Sequence, residues 1–228
     1  MKTILTNILR LAPIFISIPL IAGQATIAIK QSSKVDFGKY PANLKKEAFY
    51  AITNAGDDVL KIIKIRKTCG CSEAKVDKTE LKPGETAKLK AVIKADSIYG
   101  PFSKNIYIES NDPKQRFLSI TLSGHAVPIA KIKPKNKIYA GSLKVGQKWT
   151  QAFLVEPTQN NVEFDQPVVK GFPAHVTLTK QPNGKLRLVA EVLPQKTGAL
   201  KCKISLPIKS PLNWKPLEII IAGSVKGK

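Results

Sequence analysis

Short segments in which apolar and polar residues alternate recur along the chain, and this period of two is the pattern of a half-buried β-strand. In residues 86–95, Ala87, Leu89, Ala91 and Ile93 alternate with lysines at 88, 90 and 94. Clusters of turn-forming residues separate the segments, and residues 25–127 contain no sustained period of 3.6. The pattern predicts an all-β, immunoglobulin-like β-sandwich of about seven short strands. The predicted strands are residues 31–39, 46–53, 59–66, 86–95, 102–110 and 117–124, with the Cys-Gly-Cys segment as a continuation of residues 59–66. Within residues 59–66 we expect Ile63 and Ile65 on one face, opposite Lys64 and Arg66.

The second half of the chain repeats the first. Residues 106–124 contain an Ile-x-Ile, a proline, an alternating run and a glycine, and the same order returns in residues 204–223. Residues 35–38 likewise correspond to residues 138–141. The repeat predicts two tandem immunoglobulin-like domains, residues 26–127 and 128–228, joined by a short, stiff connector at 126–137.

The first 25 residues have the three parts of a secretory signal peptide. Lys2 and Arg10 supply positive charge, residues 11–22 are apolar, and Gly23 and Ala25 are the small residues expected before a cleavage site. A retained membrane anchor is the alternative, but an apolar run of about a dozen residues is short of the roughly 20 that span a bilayer. The sequence therefore predicts export to the periplasm or the cell exterior, cleavage after Ala25, and no transmembrane segment thereafter.

The chain is strongly basic, with 37 Lys and Arg against 16 Asp and Glu and a formal net charge of +21. Residues 128–228 hold 17 basic and 5 acidic residues, and residues 26–127 hold 18 and 11. Such an excess favours anionic partners, although a lysine-rich solvated surface is the simpler interpretation. Only four of the basic residues are arginines, the residue type that contacts phosphate and guanine in a bidentate manner, and no nucleic-acid-binding motif is present. We expect an anionic envelope component or a protein partner, and no nucleic acid.

Cys69 and Cys71, separated by Gly70, are the residues with the most specific chemistry. They are compatible with a structural role in which small apolar side chains and Gly70 shape a bulge. They are also compatible with a redox disulfide, which in extended backbone would lie near the upper limit of the allowed Cα separation. A third interpretation is a metal site for a soft ion such as copper(I), which accepts few ligands and prefers sulfur. The basic residues Arg66, Lys67 and Lys75 would lower the thiol pKa values if their side chains pointed toward the sulfurs.

The other candidate ligands and nucleophiles are fewer and weaker. Cys202 alternates with lysines, which predicts a free thiol that faces the core of the second domain. His125 and His175 are the two histidines; His125 is expected just after the last strand of the first domain, and His175 has no acidic neighbour in sequence. A zinc site of four ligands is therefore not expected, and apart from the copper alternative no resident cofactor is expected. No phosphate loop, nucleophile elbow or metalloprotease motif is present, so the chain is predicted not to be an enzyme.

Five motifs in order resemble a bacterial family known as domain of unknown function 1573. They lie at residues 35–38, 52–56, 68–72, 81–85 and 120–124. Members of that family often have Thr at the position of Ser72, which keeps a hydroxyl group there. The resemblance covers residues 34–127 well and residues 129–225 only as a degenerate repeat. It implies an exported protein with a Cys-Gly-Cys motif on an immunoglobulin-like fold, and it implies no activity.

Taken together, the residues predict an exported, non-enzymatic binding or scaffolding protein. The alternative is a periplasmic thiol-redox or copper-handling protein that uses Cys69 and Cys71. The second half offers no cysteine pair at the corresponding place, where we expect residues 160–169 instead. Any chemistry of the pair therefore belongs to the first domain.

Overall fold

The computed structural model describes residues 23–227, which form 19 β-strands and no helix. Most of the predicted signal peptide lies outside the described residues, and within them no helix could cross a membrane. The prediction of an all-β chain is confirmed. The strands up to Val127 are β1 (Ile27–Ile29), β2 (Lys34–Pro41), β3 (Lys46–Asn54), β4 (Leu60–Lys67), β5 (Ser72–Val76), β6 (Glu80–Leu81), β7 (Thr86–Ile93), β8 (Gly100–Ser110) and β9 (Phe117–Val127). The later strands are β10 (Ala130–Lys133), β11 (Lys137–Lys144), β12 (Trp149–Pro157), β13 (Glu163–Phe164), β14 (Val168–Gly171), β15 (His175–Lys180), β16 (Leu186–Val192), β17 (Gly198–Leu206), β18 (Ile208–Ser210) and β19 (Leu217–Lys226).

Strands β1–β9 form a first sandwich of two sheets. One sheet has the order β1-β3-β7-β5, and the other has the order β2-β9-β8-β4-β6. Strand β2 runs parallel to β9, and the other neighbours are antiparallel. The alternating residues of β7 face the core as predicted, since Ala87, Leu89, Ala91 and Ile93 are fully buried. This is the strand order of an immunoglobulin-like sandwich.

Strands β10–β19 form a second sandwich with the same topology. Its sheets have the orders β10-β12-β16-β15 and β11-β19-β17-β14, with a small extra pair, β13-β18. Strand β11 runs parallel to β19, as β2 does to β9. The register of the last hairpin also repeats, because Ile108 pairs with Leu118 in the first sandwich and Leu206 with Leu217 in the second. The fold class of two tandem immunoglobulin-like sandwiches is therefore confirmed.

A glycine bulge explains one of the repeated motifs. The pairing of β2 with β9 shifts register just before Lys39, and that of β11 with β19 shifts just before Ser142. Gly38 and Gly141 lie in these bulges with φ angles of 63° and 79°, a conformation that glycine adopts without steric cost. The carbonyl oxygen of Gly141 then approaches Gly223 of β19 so closely that a Cβ atom on Gly223 would lie 2.6 Å from it. Sterics therefore explain why the motif has glycine both in the bulge, at Gly141, and in the facing strand, at Gly223.

The prediction for residues 59–66 was wrong at Ile63. Strand β4 shifts register against β8, with Ile62 opposite Ser110 and Lys64 opposite Glu109. Ile63 lies in this bulge and is 59% exposed, whereas Ile65 packs against the core. A single extra residue therefore reverses the faces that strict alternation predicts.

Four further segments differ from the predicted elements. Strands β1, β5 and β6 were not predicted as strands. Residues 126–137, predicted as a connector, contain the end of β9, all of β10 and the first residue of β11. The link between the last strand of one sandwich and the first strand of the next is therefore only Pro128 and Ile129.

Candidate functional site

The Cys-Gly-Cys motif forms a turn that crosses from one sheet of the first sandwich to the other. It connects β4, in the five-stranded sheet, with β5, at the edge of the four-stranded sheet. On one side the backbone N–H of Thr68 donates to the carbonyl oxygen of Asn105 over 3.3 Å. On the other side the N–H of Lys94 donates to the carbonyl oxygen of Cys71 over 3.0 Å, and the hydroxyl group of Ser97 donates to the same oxygen over 3.3 Å. The motif is thus a fixed corner. The prediction that it continues the strand of residues 59–66 was wrong.

Cys69 and Cys71 form a disulfide in the structure. Their Cα atoms are 5.2 Å apart, well inside the usual range for disulfides. The expectation of a separation near the upper limit assumed extended backbone, and the turn at Gly70 removes that assumption. The backbone N–H of Cys71 lies 3.2 Å from Cys69 Sγ, and the hydroxyl oxygen of Ser72 lies 3.8 Å from the same sulfur. Both cysteines are half-buried, so the sulfur pair lies at the surface of the corner.

Arg66, one of the basic residues near the corner, has another partner. Arg66 Nη2 donates to Glu109 Oε2 over 2.7 Å, and Arg116 donates to the other carboxylate oxygen over 2.9 Å. Hydrogen bonds from Arg66 and Arg116 lower the pKa of Glu109 below its usual value, although burial opposes this shift. Arg66 is therefore held by a buried carboxylate. Lys75 lies directly across from Lys90, between β5 and β7.

The structure does not bring the histidines to the cysteine pair. His125 lies inside β9, where it pairs with Lys39 and Pro101, so it does not follow the last strand as predicted. His175 begins β15 in the second sandwich and is opposite Glu191. Within residues 23–227 no three His, Cys, Asp or Glu side chains form a group that could hold a metal ion.

The corner that corresponds to Cys-Gly-Cys in the second sandwich lies at residues 172–174, between β14 and β15. The N–H of Phe172 donates to the carbonyl oxygen of Lys201 over 2.8 Å, which matches the bond from Thr68 to Asn105. The predicted location, residues 160–169, was wrong because those residues contain β13 and the start of β14. Cys202 is 1% exposed and free, as predicted, and burial raises the pKa of its thiol.

The outer face of the sheet β11-β19-β17-β14 carries positive charge beside apolar side chains. Lys170 of β14 is directly opposite Lys203 of β17, and Lys201 lies two residues from Lys203 on the same face. Tyr139, which is 74% exposed, and Val168, which is 47% exposed, lie on this face as well. Only Lys203 pairs with a described carboxylate, that of Glu218. We call Lys170, Lys201 and Lys203, with Tyr139 and Val168, the basic face.

The two sandwiches contact each other through a loop of the second. Trp214 packs against a cluster of the first sandwich formed by Tyr40, Ala42 and Ala126, and also against the core of the second. Asn43 Nδ2 donates to the carbonyl oxygen of Asn213 over 3.3 Å. The tryptophan is therefore the main apolar contact at this junction.

A cleft of about 900 Å³ opens beside Trp214, between the two sandwiches. Asp96 and Tyr99 of the loop before β8 line one side, and residues 128–130 with Ile132 line the other. Residues 134–137 and 214–218 complete the walls. Lys215 Nζ lies 3.7 Å from Asp96 Oδ2 across the junction. No sequence motif indicates this cleft, because its walls come from four separate segments.

Comparisons with known proteins find one family and several solved structures to which this chain is similar. Residues 27–125 match a family described as a protein of unknown function (DUF1573). No curated protein matches the chain. Among solved structures, a protein of unknown function from Porphyromonas gingivalis W83 aligns at 12% identity, with 87% of this chain and 99% of that chain covered and a TM-score of 0.36.

Two further solved structures align with this chain at similarly low sequence identity. The ASH / PapD-like domain 7 of human CEP192 aligns at 12% identity over 54% of this chain and 97% of that chain, with a TM-score of 0.37. The titin Ig tandem domains A164-A165 align at 14% identity over 91% of this chain and 100% of that chain, with a TM-score of 0.27. These TM-scores are below 0.5, so the fold assignment rests on the strand topology. The resemblance to the DUF1573 family is confirmed over residues 27–125, which carry the Cys-Gly-Cys corner.

Proposed function

We propose that the protein is an exported, non-enzymatic binding or scaffolding protein that engages an anionic envelope component or a protein partner. The basic face is the observation that carries this proposal. Lys170 and Lys201 extend from the outer face of this sheet and form no ion pair with a described carboxylate, so they are available to pair with a bound anion. The exposed ring of Tyr139 beside them adds apolar contact area at low entropic cost.

Binding to vesicles that contain an anionic phospholipid tests the electrostatic part of the proposal. We expect binding that weakens steeply between about 0.05 and 0.5 M salt, since exposed charges are screened within about 10 Å at 0.1 M. The variant Lys170→Glu with Lys201→Glu should lose most of this binding. Lys78→Glu with Lys82→Glu is the matched control, because both lysines are exposed, lie in the first sandwich and give the same change in net charge. Equal losses in the two variants, or binding that ignores salt, would contradict a role for the basic face.

The second candidate function is thiol-redox or copper handling by Cys69 and Cys71. The corner favours it, because the turn holds both sulfurs together at a half-buried surface position. Closing a loop of three residues restricts the unfolded chain by only about 1.6 kcal/mol, so Cys69→Ser with Cys71→Ser should still fold. This variant should lose thiol–disulfide exchange and copper binding, measured by intact mass after alkylation and by metal analysis. A variant that exchanges thiols or binds copper as the native chain does would eliminate this candidate.

A further inference from the structure

Strand β10 is an edge strand whose outer side has no neighbouring strand among the described residues. It pairs only with β12, in the sheet order β10-β12-β16-β15. The N–H of Thr158 donates to the carbonyl oxygen of Ile129 over 3.0 Å, which sets the alternation of the antiparallel ladder. Counting from Ile129, the backbone groups of residues 131 and 133 point toward β12. Those of Ala130 and Ile132 therefore point to the open side.

This open side faces the interdomain cleft. Ala130 and Ile132 line the cleft, whereas Lys131 and Lys133 do not. The edge of a sheet presents a row of unpaired N–H and C=O groups, which is a ready template for pairing with another strand. Pro128 and Pro134 flank the strand and lack N–H groups, so an added strand would pair with only a short segment.

The cleft walls define which side chains an added strand should carry. Trp214 and Leu217 are half-buried and provide an apolar wall on the side of the sandwich interior. Lys135, in the loop after β10, and Lys137, the first residue of β11, also line the cleft and form no ion pair with a described carboxylate. The two acidic residues of the cleft, Asp96 and Glu218, are paired with Lys215 and Lys203. Because side chains alternate along a strand, apolar residues would face the wall while acidic residues face the lysines.

We propose that the cleft binds an extended peptide segment of a partner protein, with alternating apolar and acidic residues, which adds to β10 as an extra strand. Main-chain hydrogen bonds to Ala130 and Ile132 supply affinity, and the apolar wall and the lysines select the sequence. This site deepens the proposed binding function and rests on it, and it borders the basic face, since Lys137 lies on the same side of β11 as Tyr139.

The probe is the labelled peptide acetyl-Val-Glu-Val-Glu-Val-Glu-Val-amide, with binding measured by fluorescence anisotropy on the full chain. We expect saturable binding at peptide concentrations below about 1 mM, which corresponds to about −4 kcal/mol. Lys135→Ala with Lys137→Ala should weaken binding about tenfold. Lys144→Ala with Lys196→Ala is the matched control, because both lysines are exposed in the second sandwich, lie outside the cleft and change the net charge equally. This control should bind as the native chain does.

Two measurements test strand addition itself. A peptide with methyl groups on alternate backbone nitrogens cannot donate those hydrogen bonds, and it should bind at least about tenfold more weakly. Amide hydrogen exchange should slow at Ala130 and Ile132 when the unmodified peptide binds. Equal binding of the methylated peptide, protection at another strand, or no saturable binding would overturn the proposal. So would binding of an oligosaccharide of uronic acids in place of the peptide. The loss of vesicle binding in Lys170→Glu with Lys201→Glu reports the basic face, and the methylated peptide and hydrogen exchange report β10, so either site can fail without the other.

Discussion

Glu156 illustrates how a chain with few acidic residues uses them. Its carboxylate accepts from Lys185 over 2.8 Å and contacts Lys133 Nζ over 2.9 Å, so one side chain joins β10, β12 and the residue before β16. Hydrogen bonds from these two lysines lower its pKa from 4.5 to about 2, although burial opposes the shift. The ion pairs hold the edge strand β10 to its sheet, next to the cleft.

The pH dependence of stability follows from this shift. A carboxyl group whose pKa is lower in the folded state stabilises the protein above its usual pKa, and this contribution is lost as pH falls toward the folded value. For Glu156 the loss should occur between about pH 4.5 and about pH 2. In Glu156→Gln this part of the decline should be absent, as measured by urea unfolding at pH 6, 4.5, 3 and 2. Parallel curves for the two proteins across this range would show that Glu156 does not contribute.

At the scale of the elements, the sequence predicts the strands that obey strict alternation and that recur in the repeat. Strand β7 is an example, since its four apolar residues are all fully buried. The glycine bulges of β2 and β11 were visible as a shared motif, because the steric requirement at Gly38 and Gly141 is local. These features depend on the residues of one segment and can be predicted from that segment alone.

Other elements depend on a partner strand and could not be predicted in the same way. The exposure of Ile63 results from a register shift against β8, and the geometry of the Cys-Gly-Cys corner results from the crossing between two sheets. Strand β5 is recognisable only because it pairs with β7. In each case the deciding contact lies many residues away along the chain. The sequence shows the Cys-Gly-Cys motif itself, but it does not predict the geometry of the turn that the motif forms.

The contact between the bulge and the last strand gives a test of the repeated glycine motif. Gly223→Ala places a methyl group 2.6 Å from the carbonyl oxygen of Gly141, and a backbone atom must move to accommodate it. We expect a loss of about 1–3 kcal/mol in the free energy of unfolding, measured in urea. Gly227→Ala is the control, since a Cβ atom there would meet nothing within 4 Å, and it should be neutral. A neutral Gly223→Ala would show that the β11 bulge tolerates a larger spacing.

For the whole molecule, the junction between the sandwiches determines whether the cleft has a defined shape. The link of Pro128 and Ile129 is short, and Thr158 fixes it by donating through its hydroxyl group to the carbonyl oxygens of both residues. Trp214 then packs against an apolar cluster of each sandwich. None of these contacts repeats between the two halves, which is why the repeat revealed both sandwiches but not the cleft between them.

Trp214→Ala should therefore loosen the junction while leaving each sandwich folded. Truncating a half-buried tryptophan should lower the free energy of unfolding by about 2 kcal/mol, roughly half the loss for a fully buried tryptophan. We expect unchanged far-ultraviolet circular dichroism, a larger radius of gyration by small-angle X-ray scattering, and weaker binding of the Val-Glu peptide. Leu212→Ala is the matched control, because Leu212 lies in the same loop and is 75% exposed. If scattering from Trp214→Ala coincides with that from the native chain and from the control, the remaining contacts of Thr158 and Asn43 suffice to hold the two sandwiches in place.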